Sequence, residues 1–132
     1  GIASYQGAQK NARDARRRND VDVIAKSLEV NKVQNSLYYP TISPTWFESE
    51  TIPQDTTTAK YCILYRADST TIAKPTTWAA TASCPSSVEG ASTVVAPVSP
   101  TVPPADTAMT FKICALLEQG TQPNIFCRSN IQ

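Results

Sequence analysis

Four cysteines, Cys62, Cys84, Cys114 and Cys127, are the residues of this chain most able to do covalent chemistry. A zinc site would need all four thiolates or help from carboxylates, because the chain has no histidine. No Cys-x-x-Cys pair exists to present them. Dispersed and even in number within 132 residues, they read as two disulfides, which places the protein outside the cytoplasm. Taking Gly120-Thr121 as a two-residue hairpin loop pairs Gln119 with Gln122, and counting back sets Cys114 opposite Cys127. Directly opposed residues have Cβ atoms ~4.5–5.5 Å apart, close enough to bridge with a small adjustment. Pro123 argues against a perfect ladder there and leaves a longer loop open. Four cysteines allow three connectivities; Cys114–Cys127 is favoured, leaving Cys62–Cys84, and the sequence does not settle the choice.

Catalytic constellations are missing from the sequence. Without histidine, Ser-His-Asp and Cys-His sites are excluded. There is no phosphate-binding Gly-x-x-x-x-Gly-Lys loop. Asp106 is the lone acid between residues 90 and 117, too few oxygens for a calcium loop. The expectation is a protein with no enzymatic activity, no cofactor and no metal.

Charge offers one local feature against a formal net of only +1. Between Lys10 and Arg18 lie five basic residues and one acidic one. Such a stripe could meet nucleic acid or anionic lipid headgroups. A charge run without interleaved aromatics carries little specificity, which argues against nucleic acid as a partner. The plainer readings are a solvated helix with pairs such as Asp14–Arg18, or contacts to a neighbouring subunit. Asp14, Asp20, Asp22 and Glu29 are expected on an exposed helix surface, solvated or paired. Trp46, Phe47 and Trp78 could form a ligand platform, but read better as core or loop anchors.

These groups must be carried by elements, and the period of the sequence says which. Residues 2 to about 36 read as one helix, with no proline before Pro40. Ile2, Tyr5, Ala8, Ala12 and Ala15 recur at helical spacing, and Val21, Ile24, Ala25 and Leu28 continue the pattern. The apolar face is weak in the first half and stronger from Val21 on, so the second half should pack while the first half projects. A helix of that length is about 50 Å long. Tyr38-Tyr39-Pro40 closes it, giving a helical region 1–37. A loop with Trp46 and Phe47 fills 38–60. Residues 61–66 read as a strand, 76–82 as a short second strand with Trp78, 110–118 as a strong strand and 124–128 as the last. The stretch 85–107, rich in Pro, Ser and Thr, reads as an extended surface loop without packed structure; O-glycosylation is one use of such a segment, and an unmodified flexible loop is slightly favoured. The fold class is α+β, one domain over 1–132: a long N-terminal α-helix packed on a small antiparallel β-sheet, disulfide-bonded. No stretch approaches the ~20 apolar residues of a membrane span, and no signal peptide is visible. Since export needs a signal, the sequence is expected to begin downstream of its natural start.

The run Ala12-Arg13-Asp14-Ala15-Arg16-Arg17-Arg18-Asn19-Asp20, followed by Ile24, Leu28 and Tyr38-Tyr39-Pro40, resembles the mid-helix segment of type IV pilins and type II secretion pseudopilins. Phe111 to Glu118 followed by Phe126-Cys127 is similar to the C-terminal strands of the same family. Together the matches cover about half the chain, at its two ends and in the right order. The family's membrane-inserted half-helix, with its peptidase site and glutamate, would precede Ile2. The resemblance implies a structural subunit of a type IV pilus, a cell-surface filament serving adhesion or motility. Its partners would be copies of itself and the pilus assembly machinery, with membrane anchoring through the upstream half-helix before assembly. Ile2, Tyr5, Ala8, Arg13, Asp14, Arg16, Arg17 and Arg18 are the candidate subunit interface. The alternatives are a type II secretion pseudopilin with the same fold, and an exported adhesin or carbohydrate-binding module. Trp46 and Trp78 exposed in one concave patch would favour the last.

Overall fold

A computed structural model describes residues 2–31, 44–53, 55, 61–66, 71–78, 91–94 and 110–130. The first element, α1, runs Ile2–Val30. Asp14, Arg17, Val21, Ile24 and Leu28 are buried at spacings of three and four, which on a 3.6-residue helix makes one continuous seam, flanked by buried Asp20 and Ser27. The helix gives way to a turn at Asn31, whose backbone and side-chain amides both donate to the Ser27 carbonyl, at 3.1 and 2.8 Å. The expected closure at Tyr38-Tyr39-Pro40 lies outside the described residues. A 3₁₀ turn over Pro44–Trp46 opens the described part of the loop that follows.

Among the described residues four strands follow: β1 Cys62–Arg66, β2 Ala91–Val94, β3 Thr110–Leu117 and β4 Asn124–Ser129. They form one antiparallel sheet in the order β2-β1-β3-β4. The class is therefore α+β, one long helix and one small antiparallel sheet. Alternation along the strands separates two faces. Ile63, Phe111, Ile113 and Ala115 pack with Tyr61 and Ile52 against Val21, Ile24 and Leu28 of α1. Cys62, Leu64, Cys114 and Ile125 pack on the other face with Ile72 and Trp78. Burial on both faces explains why β3 is apolar almost throughout rather than alternating. Each fully buried Ile or Leu contributes about 1.5–3 kcal/mol relative to exposure.

Two expectations are corrected. Of the expected 76–82 strand, residues 76–78 are described and form no strand, Trp78 covering the sheet face at 7% exposure; residues 79–82 lie outside the described residues. The stretch 85–107 is not wholly unpacked. Ala91-Ser92-Thr93-Val94 pairs with β1, Cys62 opposite Val94 and Tyr65 opposite Ala91. Ser, Thr and Val can join a ladder, and no proline interrupts these four residues. The Pro-rich composition of the whole stretch conceals that local run.

Between β3 and β4 the expected register holds, with Cys114 opposite Cys127. Pairing stops at Leu117–Asn124, so the connection is longer than two residues. It contains a cis Gln122–Pro123 bond and Gly120 at φ 86°. The Asn124 side-chain amide donates to the Gln119 carbonyl at 2.7 Å, and that of Gln122 to the Glu118 carbonyl at 2.9 Å. Cys114 and Cys127 are bonded across the ladder with Cα atoms 4.1 Å apart. Cys62 is also disulfide-bonded; its expected partner Cys84 lies outside the described residues.

Candidate functional site

The densest polar constellation joins the middle of α1 to the β3–β4 turn. Helical spacing places Arg13, Asp14 and Arg17 on the side of α1 that meets the sheet. The end of β3 brings Glu118, and the loop before β1 brings Asp55. Arg17 is the centre. Its Nε and Nη2 donate to the two carboxylate oxygens of Asp55, at 2.9 and 3.2 Å. Its Nη1 donates to Asp14 at 2.8 Å and to Glu118 at 2.6 Å. Arg13 grips Glu118 with a second fork, at 2.6 and 2.9 Å.

Asp14 does more than balance charge. One carboxylate oxygen accepts the backbone amide of Glu118 at 2.8 Å, and the other that of Gln119 at 2.9 Å. The helix thereby satisfies two amides of the turn after β3, where the ladder has ended. Its side chain and that of Arg17 are each 2% exposed. A planar guanidinium with five donors suits three carboxylates in a way an ammonium does not.

The electrostatics follow from this packing. Hydrogen bonding from Arg13, reinforced by Arg17, holds the Glu118 carboxyl at about 2 against the cost of its partial burial. Burial opposes the charge on Arg17, but the bonds to Asp55, Glu118 and Asp14 together outweigh it and raise its pKa. Beside the clamp, the Tyr61 hydroxyl donates to Asp20 at 2.6 Å. Burial pushes Asp20 above the ordinary carboxylate value, and the Tyr61 bond only partly offsets this. Burial and the Asp20 bond also push the Tyr61 hydroxyl up.

This arrangement corrects part of the sequence reading. Asp14 and Asp20 are buried rather than solvated. Asp14 pairs with Arg17, not Arg18. Asp14 and Arg17 are enclosed within their own domain, so neither is available to a neighbouring subunit as expected; burial in a salt-bridged cluster is the reason. Arg13 is part-exposed but engaged with Glu118. Tyr5, Ala8, Arg16 and Arg18 face solvent, Tyr5 at 65% exposure. Arg18 reaches 5.8 Å from the Phe126 ring centre, and Arg128 stacks closer, at 4.4 Å, while holding Asp22 at 2.9 Å. Ile2 starts α1, and its side chain lies outside the description.

Sequence reasoning missed Asp55, Tyr61 and Glu118 as partners of the helix. A signal for the helical side was present: stepping back from Val21 by four and then three residues reaches Arg17 and Asp14.

The aromatic candidates separate. Trp46 and Phe47 pack against the helix-side core and line a groove of about 490 Å³ with Val23, Lys26, Val30 and Pro53. Trp78 lies in the cluster on the opposite sheet face, so the two tryptophans do not share a concave patch. Among the described residues no group of His, Cys, Asp and Glu is placed to hold a metal ion, and no helix is long and apolar enough to cross a membrane. No family model, curated protein or solved structure matches this chain.

Proposed function

We propose that this chain is the structural subunit of a type IV pilus-like filament, exported to the cell surface and polymerising through α1. The reading rests on the resemblance in the helix and the C-terminal strands. The observation that carries it is that α1 outruns its sheet. A helix of 29 residues is about 43 Å long, whereas β3, the longest strand with eight residues, spans about 27 Å. Beyond the clamp at Asp14, the helix exposes Tyr5, Gln6 and Ala8 to Ala12. A helix held at its middle, with residues 5, 6 and 8–12 exposed, is suited to packing against copies of itself. Its partners are then other subunits and the assembly machinery, with the membrane reached through helix upstream of Ile2.

Immunogold electron microscopy of cells carrying the intact gene tests this, with antibody raised against the present domain. Labelled surface filaments that disappear on gene deletion are the expected result. Label confined to the envelope, together with a secretion defect, moves the protein to a type II secretion pseudopilus. Label found only on free protein in the medium rejects a filament subunit.

A further inference from the structure

Three cysteines stand in one row across the sheet. Cys62 of β1 lies directly opposite Cys114 of β3, and Cys114 directly opposite Cys127 of β4. All three belong to the cluster on the face away from α1, with Cys62 and Cys114 fully buried and Cys127 at its partly exposed margin. Cys114 is bonded to Cys127, and Cys62 carries a disulfide of its own. The middle sulfur of the row thus has a bonded neighbour on one side and a second disulfide on the other. Directly opposed Cβ atoms lie ~4.5–5.5 Å apart, so a Cys62–Cys114 bridge asks for little backbone movement.

We propose that Cys127 is a site of covalent thiolation by small aliphatic thiols, and that the exchange it starts is relayed through Cys114 to Cys62. In the first step an external thiolate attacks the Cys127 sulfur, the partly exposed member of the row. A mixed disulfide forms on Cys127, the Cys114–Cys127 bond breaks, and its electron pair stays on Cys114 as a thiolate. That thiolate is enclosed by Leu64, Ile72, Trp78 and Ile125, an apolar setting that disfavours the charge. In the second step it attacks the Cys62 sulfur across β1. The Cys62–Cys114 bond forms, and the former partner of Cys62 leaves as a thiolate that takes a proton from water. One thiolate enters and one leaves, with no net oxidation. Strand β3 is then stapled to β1 instead of β4, and β4, at the edge of the sheet, loses its covalent tie to β3. This relay does not depend on the filament reading.

Peptide mapping of the oxidised full chain treated with limiting glutathione tests it. The reaction is quenched with acid, alkylated and cut with trypsin. Cleavage after Lys112 and Arg128 leaves Cys114 and Cys127 in one peptide, 113–128, and cleavage after Lys60 and Arg66 isolates Cys62 in 61–66. The expected product is 113–128 carrying glutathione on Cys127 and cross-linked to 61–66, accumulating as the internally looped 113–128 declines. Glutathione on Cys127 with an alkylated Cys114 overturns the relay. Glutathione on Cys114, or no adduct on 113–128, overturns the thiolation site. A parallel reaction in denaturant supplies the scrambled set, and a native pattern equal to it also overturns the relay.

Discussion

The Asp14 carboxylate accepts the backbone amide of Glu118, a residue 104 positions further along the chain, at 2.8 Å. A helix side chain thereby terminates a strand. The same carboxylate also holds Arg17, so helix, turn and the Asp55 loop meet at one point.

Removing the centre of that cluster is predicted to be severe. Arg17→Ala leaves Asp14 and Asp55 buried without their cation and should cost about 3–5 kcal/mol in urea unfolding. Arg17→Lys should recover only part, since an ammonium does not form the two-bond fork to Asp55. The neighbouring exposed Arg16→Ala should stay within about 0.5 kcal/mol of the parent.

Asp14→Ala is predicted to act on the turn as well as the charge. The Glu118 and Gln119 amides lose their acceptors, each loss costing about 1–3 kcal/mol where the amide stays buried. Hydrogen exchange should accelerate at those two amides before it does in the centre of β3. Equal protection in parent and variant would remove Asp14 from this role.

Acid is predicted to act on two carboxyls with opposite signs. Glu118 is depressed in the folded state, so its contribution is complete above the unfolded value of 4.5 and is lost as pH falls toward about 2. Asp20 is raised by burial, so its ionised form weakens the fold at neutral pH and protonation relieves this. Asp20→Asn, which can still accept the Tyr61 hydroxyl, should therefore match or exceed the parent's stability at pH 7. The difference should shrink as pH falls through the raised Asp20 value. A difference that is constant with pH in chemical denaturation would remove the role of Asp20 ionisation.

Gly120→Ala is predicted to destabilise by about 1–3 kcal/mol, the range for a non-glycine residue held in a sparsely populated backbone conformation. The residue sits at φ +86°, and an added Cβ would come within 3.0 Å of the Asn124 side-chain amide. Thermal unfolding of Gly120→Ala beside Gly7→Ala checks this. A Cβ at Gly7 meets nothing within 4 Å, so that helical substitution should be neutral to mildly stabilising.

The parts of the fold legible in the sequence were those governed by local periodicity. Val21, Ile24 and Leu28 mark the packed half of α1, and the runs at Cys62–Arg66, Thr110–Leu117 and Asn124–Ser129 mark three strands. The Cys114–Cys127 register follows from the turn at Gly120, even though the loop is longer than a two-residue hairpin. The clamp was not legible because its members, Asp14, Arg17, Asp55 and Glu118, are of types normally found in water. Partners distant in sequence, Asp55 and Glu118, complete the local Asp14–Arg17 pair and make its burial tolerable. Strand β2 was hidden for another reason: four residues of ordinary strand chemistry are outweighed by prolines elsewhere in the stretch.

The seam along α1 also has a mechanical reading. Its ionic end at Asp14 and its apolar end at Leu28 are about 21 Å apart along the axis. A load applied at the Tyr5 end would meet the short directional bonds of Asp14 and Arg17 before the apolar contacts at Val21, Ile24 and Leu28. Directional bonds and apolar contacts thus lie in series along one helix face.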